Sequence, residues 1–315
     1  MNKKALGNTG ITISPLVFGG NVFGWTADKE RSFELLDRFV DAGLETIDSA
    51  DMYSTWVPGN SGGESETIIG EWMTSRGNRD RVVLITKVGM EMPEGRGLAA
   101  TWIERAAEDS LRRLKTDRID LYFSHIFDES VPLEETLRAH ERLIAAGKVR
   151  AIGASNHSAE QLAAALKIAK DAGLPRYEVL QPQYNLYDRE GFDGALRDLA
   201  TAEGLGVITY YSLASGFLTG KYRTAADLNK SPRGGGIEAY LDKRGMAILA
   251  ALDDLASAYD AAPAEVALAW LIAREGVTAP IASATNLDQL DSLVRSTRLS
   301  LSAEDIARLD QASAY

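Results

Sequence analysis

Val82-Val83-Leu84-Ile85-Thr86-Lys87, then a stretch of helical period over 99–114, then Asp120-Leu121-Tyr122-Phe123-Ser124-His125, read as strand, helix and second strand. An apolar, β-branched run that returns after an amphipathic helix is the βαβ unit of a parallel sheet. Working outward, the same alternation fills the chain. Apolar runs end near Phe18, Ile47, Ile85, Phe123, Ile152, Leu180, Thr209 and Ile281. Amphipathic stretches occupy 29–42, 64–76, 99–114, 133–146, 158–171, 191–203, 243–275 and 286–295. Eight strands with eight helices predict an α/β fold, a closed (β/α)8 TIM barrel. An open doubly wound sheet also alternates, but its first strand leads into a glycine-rich phosphate loop that opens a helix. Here Gly19-Gly20-Asn21-Val22-Phe23-Gly24 has the wrong glycine spacing, and no helix follows at once. Residues 4–13 read as an N-terminal β-hairpin able to plug the bottom of the barrel. Ser302-Ala303-Glu304-Asp305 opens an extra C-terminal helix with capping-box logic. One connection is long: Ser212 to Tyr240 contains Gly234-Gly235-Gly236 and has no clear period, as functional loops in compact domains often do. No other stretch reads as a linker, so residues 1–315 are expected to form a single (β/α)8 barrel domain.

With 45 acidic against 34 basic residues, the net charge of −11 opposes non-specific attraction to nucleic acid or anionic lipid. Any phosphate must therefore be held locally. Cysteine is absent, which excludes disulfides and thiolate chemistry. No signal-peptide pattern opens the chain and no apolar run reaches membrane-spanning length. These features predict a cytoplasmic protein with no membrane or nucleic-acid partner; the oligomeric state is not encoded in any readable feature.

Barrel enzymes carry their chemistry at the C-terminal ends of the strands. Asp48 follows the second apolar run, Lys87 ends the third and His125 follows the fourth; Ser155 and Asn156, Gln181, and Tyr211 and Ser212 follow the next three. Singly, each has a plain structural explanation: a turn cap, half of an ion pair, a satisfied core imidazole, a rim aromatic. Together, Asp48, Tyr53 five residues on, Lys87 and His125 form a set with a mechanism. A phenol with a pKa near 10 releases its proton reluctantly. A neighbouring ammonium is expected to lower that value, an aspartate to hold the ammonium, and an imidazole to orient a carbonyl oxygen. The three histidines, His125, His140 and His157, show no metal-ligand spacing, so no metal is expected.

These residues, with Asp48-Ser49-Ala50-Asp51-Met52-Tyr53, Gly147-Lys148-Val149-Arg150, Ile152-Gly153-Ala154-Ser155-Asn156 and the run from Tyr211 to Tyr222, resemble aldo-keto reductase motifs in order from about residue 3 to 312. The resemblance implies a nicotinamide-dependent oxidoreductase acting on aldehydes or ketones, with Tyr53 as general acid in the tetrad Asp48, Tyr53, Lys87 and His125. It implies that Ser155, Asn156 and Gln181 hold the carboxamide and that Tyr211 stacks on the nicotinamide ring. Ser212, Leu213, Gly216, Leu218 and Lys221 would line the pyrophosphate, and Arg233, Ser283, Thr285 and Gln289 the adenosine end.

Within that family, basic residues often stand where Ser283 and Gln289 are, and Asn where Leu293 is. The expected cofactor is NADPH (NADP+), its 2′-phosphate met by Arg233, Lys230, Ser283 and Thr285, with some use of NADH. Phe23, Trp25, Trp56, Met90 and Phe127 lie just beyond strand ends and are expected to wall a pocket for a small carbonyl or sugar substrate. The segment from Tyr53 to Ser65 is similar to bacterial sugar- and aldehyde-handling members and to the potassium-channel beta-subunit branch. Two other roles therefore stand beside carbonyl reduction: a cofactor-binding regulatory subunit, and an NAD-linked sugar or alcohol dehydrogenase.

Overall fold

Along the strand that ends before His125, Leu121 and Phe123 join one buried cluster and Tyr122 another, the period-2 alternation of a strand with two buried faces. The computed structural model describes residues 3–315 and shows what those two faces meet. Eight strands, β3 (Val17–Gly19), β4 (Thr46–Asp48), β5 (Val83–Val88), β6 (Ile119–Ser124), β7 (Val149–Ser155), β8 (Val179–Gln181), β9 (Gly206–Thr209) and β10 (Ala279–Ala282), form a closed barrel. Every ladder is parallel and β10 closes on β3 through Ile281 opposite Val17.

Inside the barrel, Val17, Ile85, Leu121, Phe123, Val179, Ile208 and Ile281 pack together. The hairpin of β1 (Lys4–Ala5) and β2 (Thr12–Ile13) pairs antiparallel, and its Leu6, Ile11 and Ile13 join this inner cluster, plugging the barrel as the pattern suggests. At Gly153 any side chain would meet the Phe123 ring at 2.4 Å, so glycine on β7 is what lets that ring fill the interior.

The helices cover the outside: α1 (Lys29–Asp41), α2 (Glu64–Arg76), α3 (Ala100–Leu114), α4 (Leu133–Ala145), α5 (Ala159–Ala172), α6 (Ala195–Ala202), α7 (Lys243–Ala258), α8 (Pro263–Ala273), α9 (Leu287–Ser296) and α10 (Ala303–Ala312). Asp28, Ser158, Asn286 and Ser302 cap α1, α5, α9 and α10 with side-chain oxygens. The single stretch expected over 243–275 is two helices. Asp260 takes a left-handed φ of 49°, and Pro263 opens α8, since it has no N–H with which to continue α7. The long connection after β9 is a chain of short 3-10 turns. Among the described residues no helix is long and apolar enough to cross a membrane.

Candidate active site

The barrel gathers at one mouth residues that the sequence sets up to 77 positions apart, Asp48 to His125. Asp48 ends β4, Lys87 lies near the end of β5, His125 follows β6, and Tyr53 hangs on the turn after β4. Lys87 Nζ donates to Asp48 Oδ2 at 2.7 Å, to the Ser49 carbonyl at 2.7 Å and to the Tyr53 hydroxyl at 3.0 Å. The Tyr53 hydroxyl donates to the same Asp48 Oδ2 at 3.2 Å. The His125 ring stands edge-on to Tyr53, their centroids 6.3 Å apart. Lys87 is wholly buried, which a lysine tolerates only with a partner as close as Asp48.

Burial pulls the Lys87 ammonium below its ordinary pKa, against the opposing pull of Asp48. Burial, joined by the charge and hydrogen bond of Asp48, pushes the Tyr53 phenol well above 10. This reverses the expected lowering. Lys87 is already matched by Asp48, so the phenol meets a neutralised pair rather than a free cation. Burial and then the Lys87 charge push His125 well below 6.5, leaving a neutral imidazole whose Nδ1 is buried without a partner. Outside β5, between α2 and α3, Glu66 accepts from Thr86 Oγ1 at 2.5 Å and from Arg113 Nε at 2.6 Å. Burial and nearby Glu66 raise the Asp51 carboxyl well above its ordinary value.

Asp48, Tyr53 and His125 border a cleft of about 1340 Å³ that runs from β4 across the barrel mouth to the start of α9. Ser155, Asn156, Gln181, Tyr211, Ser212, Leu213, Gly216, Lys221, Arg233, Ser283, Thr285 and Gln289 all line it. Leu218 does not; its side chain is buried in the layer between barrel and helices. Trp25, Trp56 and Met90 line the cleft near Tyr53, with Trp25 edge-on to Trp56 at 5.7 Å. Phe23 is not a wall residue: a 3-10 turn over Gly20–Val22 folds its ring back onto Phe18, 5.4 Å away in the core. Phe127 also points away, against the His157 ring at 5.4 Å.

Several backbone positions around the mouth are held in left-handed geometry, with φ of 56° at Asn156, 53° at Tyr211, 47° at Ala214 and 56° at Ser215. Such strain is kept where the surroundings over-determine it, commonly at ligand sites. The Arg233 guanidinium lies 5.0 Å over the Trp25 ring, joining the long loop to the loop after β3 across the cleft. Its Nη2 is buried without a partner, and its electrostatic neighbours are the phenols of Tyr211, Tyr53 and Tyr222. Lys230, expected beside it, is committed to Asp227 at 2.7 Å and to the Lys221 carbonyl at 2.9 Å. Among the described residues no group of three or more His, Asp or Glu stands where it could hold a metal ion.

A dinucleotide fits this set. Amides and hydroxyls stand near the tetrad, Lys221 and Arg233 have no carboxylate partner among the described residues, and glycine at position 216 keeps the backbone open. Sequence reasoning passed over Asn21, Tyr210 and Asp288, which also line the cleft. Tyr210 donates to Asn156 Oδ1 at 2.6 Å while Asn156 Nδ2 reaches the His125 carbonyl at 2.8 Å. Its place beside Tyr211 after a strand was the available signal.

Residues 15–314 match the profile of the aldo/keto reductase family. The chain is 34% identical to the uncharacterized oxidoreductase YrpG of Bacillus subtilis, over 98% of this chain and 95% of that protein. It is 32% identical to norsolorinic acid reductase stcV of Emericella nidulans, over 96% of this chain and 78% of that protein. A probable voltage-gated potassium channel subunit beta of Oryza sativa subsp. japonica is 32% identical over 92% of this chain and 89% of that protein.

Proposed function

The chain belongs to the aldo/keto reductase family, and from that premise we propose that it reduces aldehydes or ketones with NADPH in the cytoplasm, Tyr53 donating the proton. The observation that carries this reading is the contact of Lys87 Nζ with both Asp48 at 2.7 Å and the Tyr53 hydroxyl at 3.0 Å, at the floor of a cleft.

When bound, the cofactor supplies hydride to the carbonyl carbon. The rest is work for the chain. Neutral His125 offers a ring N–H that orients the carbonyl oxygen toward Tyr53. Tyr53 gives its hydroxyl proton to that oxygen, and Lys87 holds the phenolate left behind, its ammonium kept in place by Asp48. A phenol held protonated is in the form from which carbonyl reduction starts, and the same group as phenolate would serve the reverse oxidation. Trp25, Trp56 and Met90 would form an apolar wall for the substrate. Ser155, Asn156 and Gln181 would hold the carboxamide and Tyr211 the ring. Lys221 and Arg233 would take the phosphates, with Ser283, Thr285 and Gln289 at the adenosine end.

Spectrophotometric turnover of a panel of small carbonyls and sugars with NADPH and NADH tests the reading. Likeness to the rice channel-subunit relative supports a second reading, a cofactor-binding regulatory protein. Cofactor binding without turnover of any simple aldehyde, nitrobenzaldehyde included, would favour that second reading.

A further inference from the structure

Asp48 divides the work of its two oxygens. Oδ2 takes Lys87 and the Tyr53 hydroxyl, while Oδ1 accepts the side-chain Nε2 of Gln181 at 2.9 Å. The two residues end β4 and β8, which stand four strands apart in a ring of eight, so the bond spans the barrel mouth. Both are buried, Asp48 1% and Gln181 2% exposed. The amide has one possible orientation: only its NH2 can donate to a carboxylate oxygen, so Oε1 turns away from Asp48. The backbone behind it is held too, for the Gln181 carbonyl accepts from Ser155 Oγ at 2.9 Å.

We propose that Gln181 is a positioning residue for the proton donor, a strut across the barrel mouth that shares the charge of Asp48 and thereby limits its grip on Tyr53. The proposal rests on the reading of Tyr53 as donor and adds to the part the family resemblance gives Gln181. With Nε2 in place, the carboxylate has a donor on each oxygen. Remove it and a buried lone pair is left unsatisfied, the negative charge falls more fully on Oδ2, and the Tyr53 hydroxyl is held harder against ionisation. Oε1 remains an acceptor for an amide N–H of a ligand. A ligand bound there would polarise the Gln181 amide, strengthen its bond to Asp48 and be felt at the phenol.

Gln181→Met keeps the length and removes the donor; Gln181→Glu sets a second carboxylate against Asp48. The readout is the ionisation of residue 53 in cofactor-free protein, with a difluorotyrosine at that position to bring the titration into range and fluorine NMR to follow it. A hydrogen bond to a charged group corresponds to about one to two pH units in its partner, here Asp48, of which Tyr53, bonded to the same carboxylate, takes a share of about one unit. The expected order of titration is wild type, then Met about one unit higher, then Glu higher still. In the natural-tyrosine enzymes, kcat for reduction falls about tenfold in the Met variant at saturating cofactor. Titration unmoved in either variant that still melts cooperatively, with the loss confined to cofactor affinity, overturns the proposal. Full turnover by Tyr53→Phe would instead remove the proton-donor reading while leaving the titration to report on the strut.

Discussion

Replacing Lys87 by methionine removes three contacts at once, to Asp48, Ser49 and Tyr53, from a position with no solvent exposure. Breaking a buried ion pair from one side costs about 3–5 kcal/mol, because the remaining charge is stranded. Asp48 keeps two donors, Gln181 at 2.9 Å and Tyr53 at 3.2 Å, which places the expected loss near the lower end, about 3 kcal/mol. The catalytic loss is separate. With the ammonium gone, nothing stabilises the phenolate formed as Tyr53 gives up its proton, and a reduction in kcat of about 10²–10⁴ follows. Chemical denaturation reads the first effect and carbonyl-dependent oxidation of the nicotinamide cofactor the second. The double variant Asp48→Asn, Lys87→Met separates them: stability should partly return, because the stranded charge is gone, while turnover stays low. A Lys87→Met enzyme with wild-type rate and an unchanged pH profile would refute the coupling of lysine to phenol.

Burial pushes His140 down from 6.5 to about 4, so the unfolded chain takes a proton that the folded chain refuses. Its stabilising effect is present above pH 6.5 and is lost as pH falls toward 4, about 3 kcal/mol across that window. Burial shifts His125 and His157 the same way. Denaturant midpoints measured down that range should fall, and fall less in His140→Gln; a flat profile in the native chain contradicts the assignment. Since Tyr53 is raised rather than lowered, its donor form persists through neutral pH, and the reduction rate should fall only beyond the ordinary phenol value of about 10. A decline centred near neutrality, traced to Tyr53, would contradict the raised value. Arg233→Ala should lose roughly ten- to hundredfold of any preference for NADPH over NADH if its guanidinium meets the 2′-phosphate. Titration of both cofactors into both proteins decides it: an equal loss for the two would place Arg233 on phosphates they share.

The ring of strands was legible because each run is short, apolar and followed by a polar side chain that the barrel aims at one mouth. Asp48, Lys87 and His125 could be read from that rule alone. What escaped depends on paths between elements. Phe23 follows a strand as a wall residue would, but the 3-10 turn at Gly20–Val22 returns it to Phe18. The break at Pro263 was written in the chain and was overrun by the apolar period on both sides. The Gln181 bond to Asp48 joins positions 133 residues apart, and nothing local in either strand announces it. The phenol's raised pKa escaped for a similar reason: adjacency to lysine is readable, whereas the degree of burial and the prior claim of Asp48 on that lysine belong to the folded site.

The account turns on one hydroxyl. In Tyr53→Phe the ring, its packing against Trp56 and the cleft remain, and only the hydroxyl is removed, with its transferable proton, its bond to Asp48 and the bond it accepts from Lys87. Single-turnover reduction of an aldehyde at saturating NADPH, with cofactor affinity measured alongside by fluorescence, tests the claim directly. The expected result is a rate lower by about 10²–10⁴ with cofactor affinity nearly unchanged. A Tyr53→Phe enzyme that reduces the aldehyde at the wild-type rate would show that the proton comes from elsewhere.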